Sequence, residues 1–493
     1  MKRQNISVSA ERLFGYKGAL AWITALLIGF TGRTVIWPYI DYDTVVELLI
    51  PGDGPLRIKT FAPLLQYIFI WFPPHVRPWL LLAMAVVCTL TIFAATVRLL
   101  IRAGVSENLS ILGGIVMLST SIRTIGWRCD DNFLQLAFML IAMLAVTYPG
   151  AMAAFFAGLF SMIAVAIHVQ VAAQYLLIGF YPFIVHQSWR ERMRQLLTYH
   201  VGGGLVFAVV MLMIWRAVAG GALLFTGVDS AQYAGSAKLF LLRALGTGHW
   251  NFLSWTKEWF LYGVAAHSIW PDRTSVLGQS IAGLWSLACV VVLVFGVRAV
   301  LLRRMPPMAL RIFVMSGVLF AAGAAFSYVY ERMSYERWAP AVACAIFAIM
   351  ISAHHAIPQT RAFRQLVAIT SCVLLMSFYV ERYVAGRDME DIPTASEIVH
   401  FQHIPATRLI VMGSPYDWCV MSVFREQPML YIVDWGDGTY EAMLFSRGGL
   451  REGFTKPSEV LKFLSLNQWD ESSIFVHGSA AKAFRMSHAE FAP

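Results

Sequence analysis

Charged residues are scarce in this chain. They make up 14% of its 493 residues, against 58% hydrophobic, so an ordinary water-facing surface cannot be assembled from it. A soluble globular protein is excluded. Cysteine is sparse too, and the six present show no metal or redox spacing. Cys88, Cys289, Cys344 and Cys372 fall inside apolar runs, where a thiol serves as a small packing group. Cys129 and Cys419 fall outside them, and a disulfide between the two is an option that spacing alone does not decide. Cys419 and Arg425 match the C-x5-R spacing of phosphatase loops, but the intervening VMSVF has no glycine to let amides curl around a phosphate. There is no basic-aromatic patch, so nucleic acid is not an expected partner. No internal repeat or transporter-like half-to-half symmetry is evident.

Long apolar runs are what the chain has instead. They extend over roughly 18 to 24 residues, the length that spans about 30 Å of hydrocarbon. Eleven spans are expected, near 18–37, 78–101, 108–125, 133–149, 151–169, 171–187, 199–219, 279–301, 308–328, 338–357 and 364–384. The basic N-terminus (Lys2, Arg3, Arg12, Lys17) runs into GALAWITALLIGF with no small-x-small cleavage site before Arg33, so the first span is read as retained. From about 388 the composition becomes that of a soluble domain. RLIVMG, MLYIVDW and SSIFVHG read as strands, DWCVMSVFREQ and KPSEVLKFLSLNQ as helices, which together predict a small α/β domain. It lacks a G-x-G-x-x-G or P-loop motif. The expected division is a transmembrane unit over 1–387 and a soluble unit over 388–493.

Orientation follows from the arginines. Arg98, Arg102, Arg190, Arg192, Arg194, Arg298, Arg303, Arg304, Arg311, Arg361 and Arg364 fall in alternate loops with the N-terminal cluster, which the positive-inside rule assigns to the cytoplasm. The net charge of +9 therefore speaks to topology and anionic lipid. The same arrangement sends Asp41, Asp43, Glu47, Asp53, Asp130, Asp131, Asp229, Glu258, Asp272, Glu331 and Glu336 to the opposite face, against Glu11, Glu107 and Glu191 inside. With an odd number of spans, the soluble domain lies on that outer face of a cytoplasmic (inner) membrane. Residues 50–77 and the tryptophan-rich loop 220–278 (Trp250, Trp255, Trp259, Trp270) are expected to carry interfacial helices.

Carboxylates at the edge of a bilayer are costly and are candidate functional groups by default. Four outer-face features occur in order: the acidic cluster in IDYDTVVELL, the basic stretch RIKTFAPLLQY, the pair Asp130-Asp131 in GWRCDDNFLQL, and YERMSYERWAP leading into a late span. In this order the chain resembles the GT-C glycosyltransferases, closest to the branch of protein O-mannosyltransferases and the lipid A aminoarabinose transferase. The resemblance covers roughly residues 15–385. It implies an acceptor-activating base in the first cluster, and the Asp-Tyr-Asp-Thr spacing leaves Asp41 and Asp43 both open, with Glu47 one turn on. It implies a donor-phosphate contact before Pro63-Leu64, matched by Lys59 with Arg57 nearby, and a second carboxylate at Asp130 or Asp131. Arg337 opens the match to the family's late Arg-aromatic-x-Pro element in ERWAP, with the candidates Tyr335 and Glu336 directly before it.

The chemistry suits those residue types. A hydroxyl is a poor nucleophile, so a carboxylate must take its proton as the glycosidic bond forms. The departing lipid phosphate gains charge that Lys or Arg stabilises. The second carboxylate can orient the acceptor, stabilise positive charge on the sugar ring or bind a divalent metal, and no other cofactor is implied. The expected partners are a polyprenyl-phosphate-sugar donor, the lipid bilayer, and a glycan, lipid or protein acceptor. Each residue also has a structural reading. Asp43 and Asp131 are good helix N-caps, Arg57 and Lys59 suit headgroup anchoring, and Arg337 can pair with Glu331 or Glu336. A lipid-linked glycan polymerase or ligase and a secondary transporter are the competing functions. The first would concentrate Arg and His in the large outer loop, and the second would place ionisable groups at mid-membrane.

The base assignment is directly testable. Asp43→Asn is expected to lower turnover by roughly 10²-fold or more with the protein still folded. A fully active Asp43→Asn beside a dead Asp41→Asn moves the base two residues; full activity in both overturns the reading.

Overall fold

The computed structural model describes residues 76–119, 131–167, 171–185, 188–219, 276–330 and 335–358, six short segments between 409 and 476, and a few neighbouring positions. The expected first span, most of the interfacial stretch and outer loop, most of the last span, the helix at DWCVMSVFREQ, and Cys129 and Cys419 lie outside the described residues.

Among the described residues ten helices precede the strands: α1 Arg77–Arg102, α2 Glu107–Ser119, α3 Asp131–Val146, α4 Ala151–Ile167, α5 Ala172–Gly179, α6 Tyr181–Val185, α7 Trp189–Ala219, α8 Val276–Leu301, α9 Pro307–Tyr330 and α10 Tyr335–Ala356. Among the described residues five of them, α1, α7, α8, α9 and α10, are long and apolar enough to cross a membrane. The protein is a helical, multi-pass type of chain. The remaining apolar helices are shorter; α3, with 16 residues, reaches about 24 Å.

Local chemistry sets several boundaries. Helix α1 opens on Arg77-Pro78, where the missing proline N–H costs nothing, and closes on Gly104. Gly104 takes φ +78°, and its N–H and that of Val105 return to the carbonyls of Ile101 and Leu100 at 2.9 and 3.0 Å. Two expectations need correction. The stretch 171–187 is not one helix: α5 ends at Gly179 and α6 restarts at Tyr181, because Pro182 has no N–H to continue the ladder and is tolerated only in a first turn. Helix α7 begins at Trp189 rather than near 199. Its charged opening, WRERMRQ, is helical but too polar to register in an apolar run.

Among the described spanning helices α10 is the most deeply buried. Of its spanning segment 78% is buried, against 17% for α7 and 22% for α8. Ala339, Ala341, Ala343, Cys344 and Ala345 are all buried, and such small side chains let α10 pack closely against α8 and α9 and also against α2 and α3. The outward faces of α7 and α8 carry Leu197, Val201, Trp215, Leu284 and Val294, each exposed by more than half. Contiguous apolar exposure of that kind is stable against hydrocarbon, not water.

Helices α4 and α7 approach each other closely enough for their backbones to touch. A Cβ placed on Gly158 would overlap the carbonyl oxygen of Tyr199, and one on Gly202 would overlap that of Phe155. Glycine at both positions lets the two backbones touch. Beside this crossing the fully buried Tyr199 donates to the Tyr175 carbonyl at 2.7 Å, and the Tyr175 hydroxyl pairs with His200 Nδ1 at 3.0 Å.

In the C-terminal region the described residues form five strands, β1 Leu409–Gly413, β2 Met429–Asp434, β3 Tyr440–Phe445, β4 Arg451–Phe454 and β5 Ser473–Val476, with α11 Pro457–Leu466 between β4 and β5. The sheet order is β4-β3-β2-β1-β5. Strand β1 pairs in parallel with β2 (Leu409 opposite Met429) and with β5 (Leu409 opposite Ser473), while β2-β3 and β3-β4 are antiparallel. Strands β3 and β4 were not expected. Their signal is the SRGGL linker, a glycine-containing hairpin connection between two short runs.

The α4–α7 crossing makes a clear prediction. Gly158→Leu should destabilise the protein by about 1–3 kcal/mol or more, since backbone cannot yield as a side chain does. Gly204→Ala, whose Cβ meets nothing within 4 Å, should leave unfolding in detergent nearly unchanged. Equal behaviour of the two variants in denaturation curves would contradict a backbone contact at Gly158.

Candidate functional site

Two contacts establish which helix ends lie together. Arg102, the last residue of α1, donates through Nη2 to the carbonyl of Thr147 at 2.5 Å, immediately after α3, and its guanidinium lies 3.9 Å from the Tyr148 ring centre. The His355 ring in the last turn of α10 donates through Nε2 to the Ala103 carbonyl at 2.9 Å. The C-terminal ends of α1, α3 and α10 therefore meet. Tyr181 joins the same end, because its hydroxyl reaches Met308 Sδ at 3.6 Å in the first turn of α9. Trp189, opening α7, stacks edge-on against Phe183.

Most of the described arginines gather there, while Arg77, Arg216 and Arg337 lie at the opposite helix ends. Arg98 and Arg102 close α1, Arg190, Arg192 and Arg194 open α7, Arg298 closes α8, Arg303 and Arg304 link it to α9, Arg311 lies near the start of α9, and Arg361 follows α10. Among the described residues only Glu107 and Glu191 accompany them, and Glu191 lies 3.7 Å from Arg194. Arg303 holds φ +54°, a left-handed conformation in which an L side chain is strained.

The opposite end receives the charged residues singled out in the sequence. Asp131 is the first residue of α3, and Tyr335, Glu336 and Arg337 form the first turn of α10. Because α3 and α10 pack together and their far ends meet at Arg102 and Ala103, these starts share an end of the bundle. Two segments some 200 positions apart in sequence thus become neighbours in end and in sidedness. Pro340 sits inside α10 one turn after Glu336 and offers no N–H to the Glu336 carbonyl, so that carbonyl has no ladder partner. Asp41, Asp43, Glu47, Arg57, Lys59 and Asp130 lie outside the described residues. Among the described residues no cluster of three His, Cys, Asp or Glu side chains is arranged to hold a metal.

Buried amides lie about one turn beneath this end, and the sequence reading passed over them. Asn132 and Gln135 on α3 and Gln174 on α5 are all at least nine-tenths buried. Gln135 donates from Nε2 to the Ala164 carbonyl on α4 at 3.2 Å. Gln174 lies against the position of Gly323 on α9, and its Oε1 has no hydrogen-bond partner. A buried acceptor left in that state costs about 1–3 kcal/mol. The signal was present as single amides interrupting apolar runs, DNFLQLAF and VAAQYLL, which a hydropathy average dilutes.

No protein-family model matches the chain, and comparison with curated proteins finds no match either.

Sidedness can be measured. Single cysteines at Tyr335 and Asp131, in a background free of other reactive thiols, should react with an impermeant maleimide from the same side of sealed vesicles, and one at Arg194 from the other. Labelling of Tyr335→Cys and Arg194→Cys from one side would refute the shared-end arrangement as a membrane topology.

Proposed function

We propose that the chain is a membrane glycosyltransferase of the GT-C kind, transferring a sugar with inversion from a polyprenyl-phosphate donor to an acceptor hydroxyl or amine. In this reading the bundle has eleven spans in the cytoplasmic membrane, with the N-terminus inside. The region 388–493 is a small α/β domain outside. The arginine end faces the cytoplasm, as the positive-inside rule requires, and the end carrying Asp131 and Glu336 faces the acceptor. The observation that supports the reading best is that Asp131 of DDNFLQL and Tyr335 of YERWAP, from two of the four ordered motifs, open packed helices at one end, opposite the end where Arg98, Arg102, Arg298, Arg303 and Arg304 lie.

Each residue then has a role. Asp41 or Asp43 takes the acceptor proton. Asp131, with Asp130 beside it, orients the acceptor or stabilises the charge that develops on the sugar ring. Lys59 and Arg57 hold the donor phosphate, and Arg337, beside Glu336 and Tyr335, stabilises it as it leaves. The polyprenyl tail partitions into the bilayer, so no nucleotide-binding domain is needed to capture the donor. Transfer onto a growing lipid-linked glycan would use the same donor chemistry. The break between α5 and α6 is the one feature that favours a transporter, since such proteins interrupt their helices at the substrate site. That break, however, adjoins Tyr181 at the arginine end rather than the midplane.

Donor recognition and acceptor activation are separable. Lys59→Ala should weaken polyprenyl-phosphate-sugar binding by about 1–3 kcal/mol, the scale of a charge-assisted hydrogen bond, and lower turnover as well. Asp131→Asn should keep donor binding while turnover falls. Unchanged binding and turnover in both Lys59→Ala and Arg337→Ala would sink the donor-phosphate role and leave these residues as headgroup anchors.

A further inference from the structure

Helix α10 is held unevenly along its length. Every residue at 341–348 is buried, so this part is packed on all sides. Its last turn is tied to the Ala103 carbonyl through His355. Residues 335–339 join that clamped body across Pro340. Proline is tolerated in the first turn of a helix, but Pro340 is the sixth residue of α10. There it removes the N–H that would bind the Glu336 carbonyl, and its ring crowds the same carbonyl. A proline so placed is a common cause of a bend.

Contacts locate the fulcrum. A Cβ placed on Gly323 of α9 would stand 2.6 Å from the Ala341 Cβ and 3.7 Å from Gln174 Nε2 on α5. Three helices thus converge on the residue after the proline, and α9 and α10 meet there through the smallest side chains, with nothing interlocked between them. Gln174 is nearly fully buried, yet its Oε1 has no hydrogen-bond partner, so that oxygen puts no polar tie on the bend.

Helix α3 is built the other way. No proline interrupts it, Gln135 is fully buried, and its Nε2 donates to the Ala164 carbonyl of α4 at 3.2 Å. Position 131 precedes Gln135 by four residues and so shares its face of the helix. The bond at Gln135 therefore fixes the rotation of α3 one turn below Asp131.

We propose that the candidate site has a fixed half and a moving half. The first turn of α10 swings about Pro340 and carries Glu336 and Arg337 towards and away from Asp131 on the stationary start of α3. The outward position admits a lipid-borne donor and the inward one completes the site around it, the division of labour of a closing lid. That purpose rests on the transferase reading, whereas the hinge rests on the backbone and its packing alone.

The test is double electron–electron resonance on the full chain in lipid nanodiscs, with nitroxides on paired cysteines in a background free of other reactive thiols. The pair Asp131→Cys with Tyr335→Cys spans the hinge. The pair Asp131→Cys with Ala356→Cys does not, and should give one narrow distance distribution. The hinge pair should be about twice as wide, or split in two, as a two-position element requires. Pro340→Ala restores the missing N–H and should collapse the hinge pair to one narrow distribution, while an unchanged control pair shows that the fold is kept. A hinge pair as narrow as the control overturns the proposal. So does breadth that survives Pro340→Ala, since that is fraying of the helix end. Undecaprenyl phosphate, added as the probe, should shift the hinge pair towards its shorter distances. A hinge that passes the proline test but ignores this lipid establishes the swing and counts against the transferase reading alone.

Discussion

Carbonyls near the ends of helices and their turns are tied down by side chains from other elements, and the rest of the bundle takes its register from those ties. Arg102 reaches the Thr147 carbonyl beyond α3, and His355 reaches the Ala103 carbonyl beyond α1. In water either carbonyl would find solvent. At the edge of a hydrocarbon layer an unpaired carbonyl costs free energy, and a charged donor can return about 1.5–3 kcal/mol. The two ties bring three helices to a common level. Once they are level, the starts of α3 and α10, with Asp131 and Glu336, fall together at the end away from Arg102.

Above that level the bundle is held by shape more than by polar contact. Helix α10 is surrounded because its alanines leave room for neighbours, and α4 and α7 touch through Gly158 and Gly202 because nothing projects between them. In hydrocarbon there is no hydrophobic force between such helices, so close dispersion contact and a few internal hydrogen bonds must suffice. The Tyr199-Tyr175-His200 group supplies bonds of this kind at the α4–α5–α7 junction. Arg303 adds a different argument. A glycine would hold its left-handed conformation with less strain, so the arginine keeps its place at a cost of about 1–2 kcal/mol.

Legibility from sequence divides along physical lines. Helices α1, α8, α9 and α10 were readable because their apolar runs are long enough that averaging over a window loses nothing. The start of α7 was missed because hydropathy sees partition, whereas helix formation also accommodates WRERMRQ. The α5–α6 break was missed because Pro182 acts at one peptide group and the window is many residues wide. Of the site, Asp131 and Tyr335–Arg337 were identified as sharing a side, and chain direction in the structure puts their helix starts at one end. The amides Gln135 and Gln174 were not, since each is a single polar group among apolar neighbours. Asp41, Asp43, Glu47, Arg57, Lys59 and Asp130 rest on sequence reasoning alone.

The burial of α10 also bears on how the molecule is made. Its partners α1, α2 and α3 are complete by Val146, while α10 starts at Tyr335, which is 335 − 146 = 189 residues later. At ordinary synthesis rates that interval is roughly 10 to 40 s, long compared with helix formation and collapse. For that time the inner faces of the early helices, with Ile92, Leu100 and Met143 among them, lack their final cover. The nascent bundle therefore waits half-built in the membrane with an open seam.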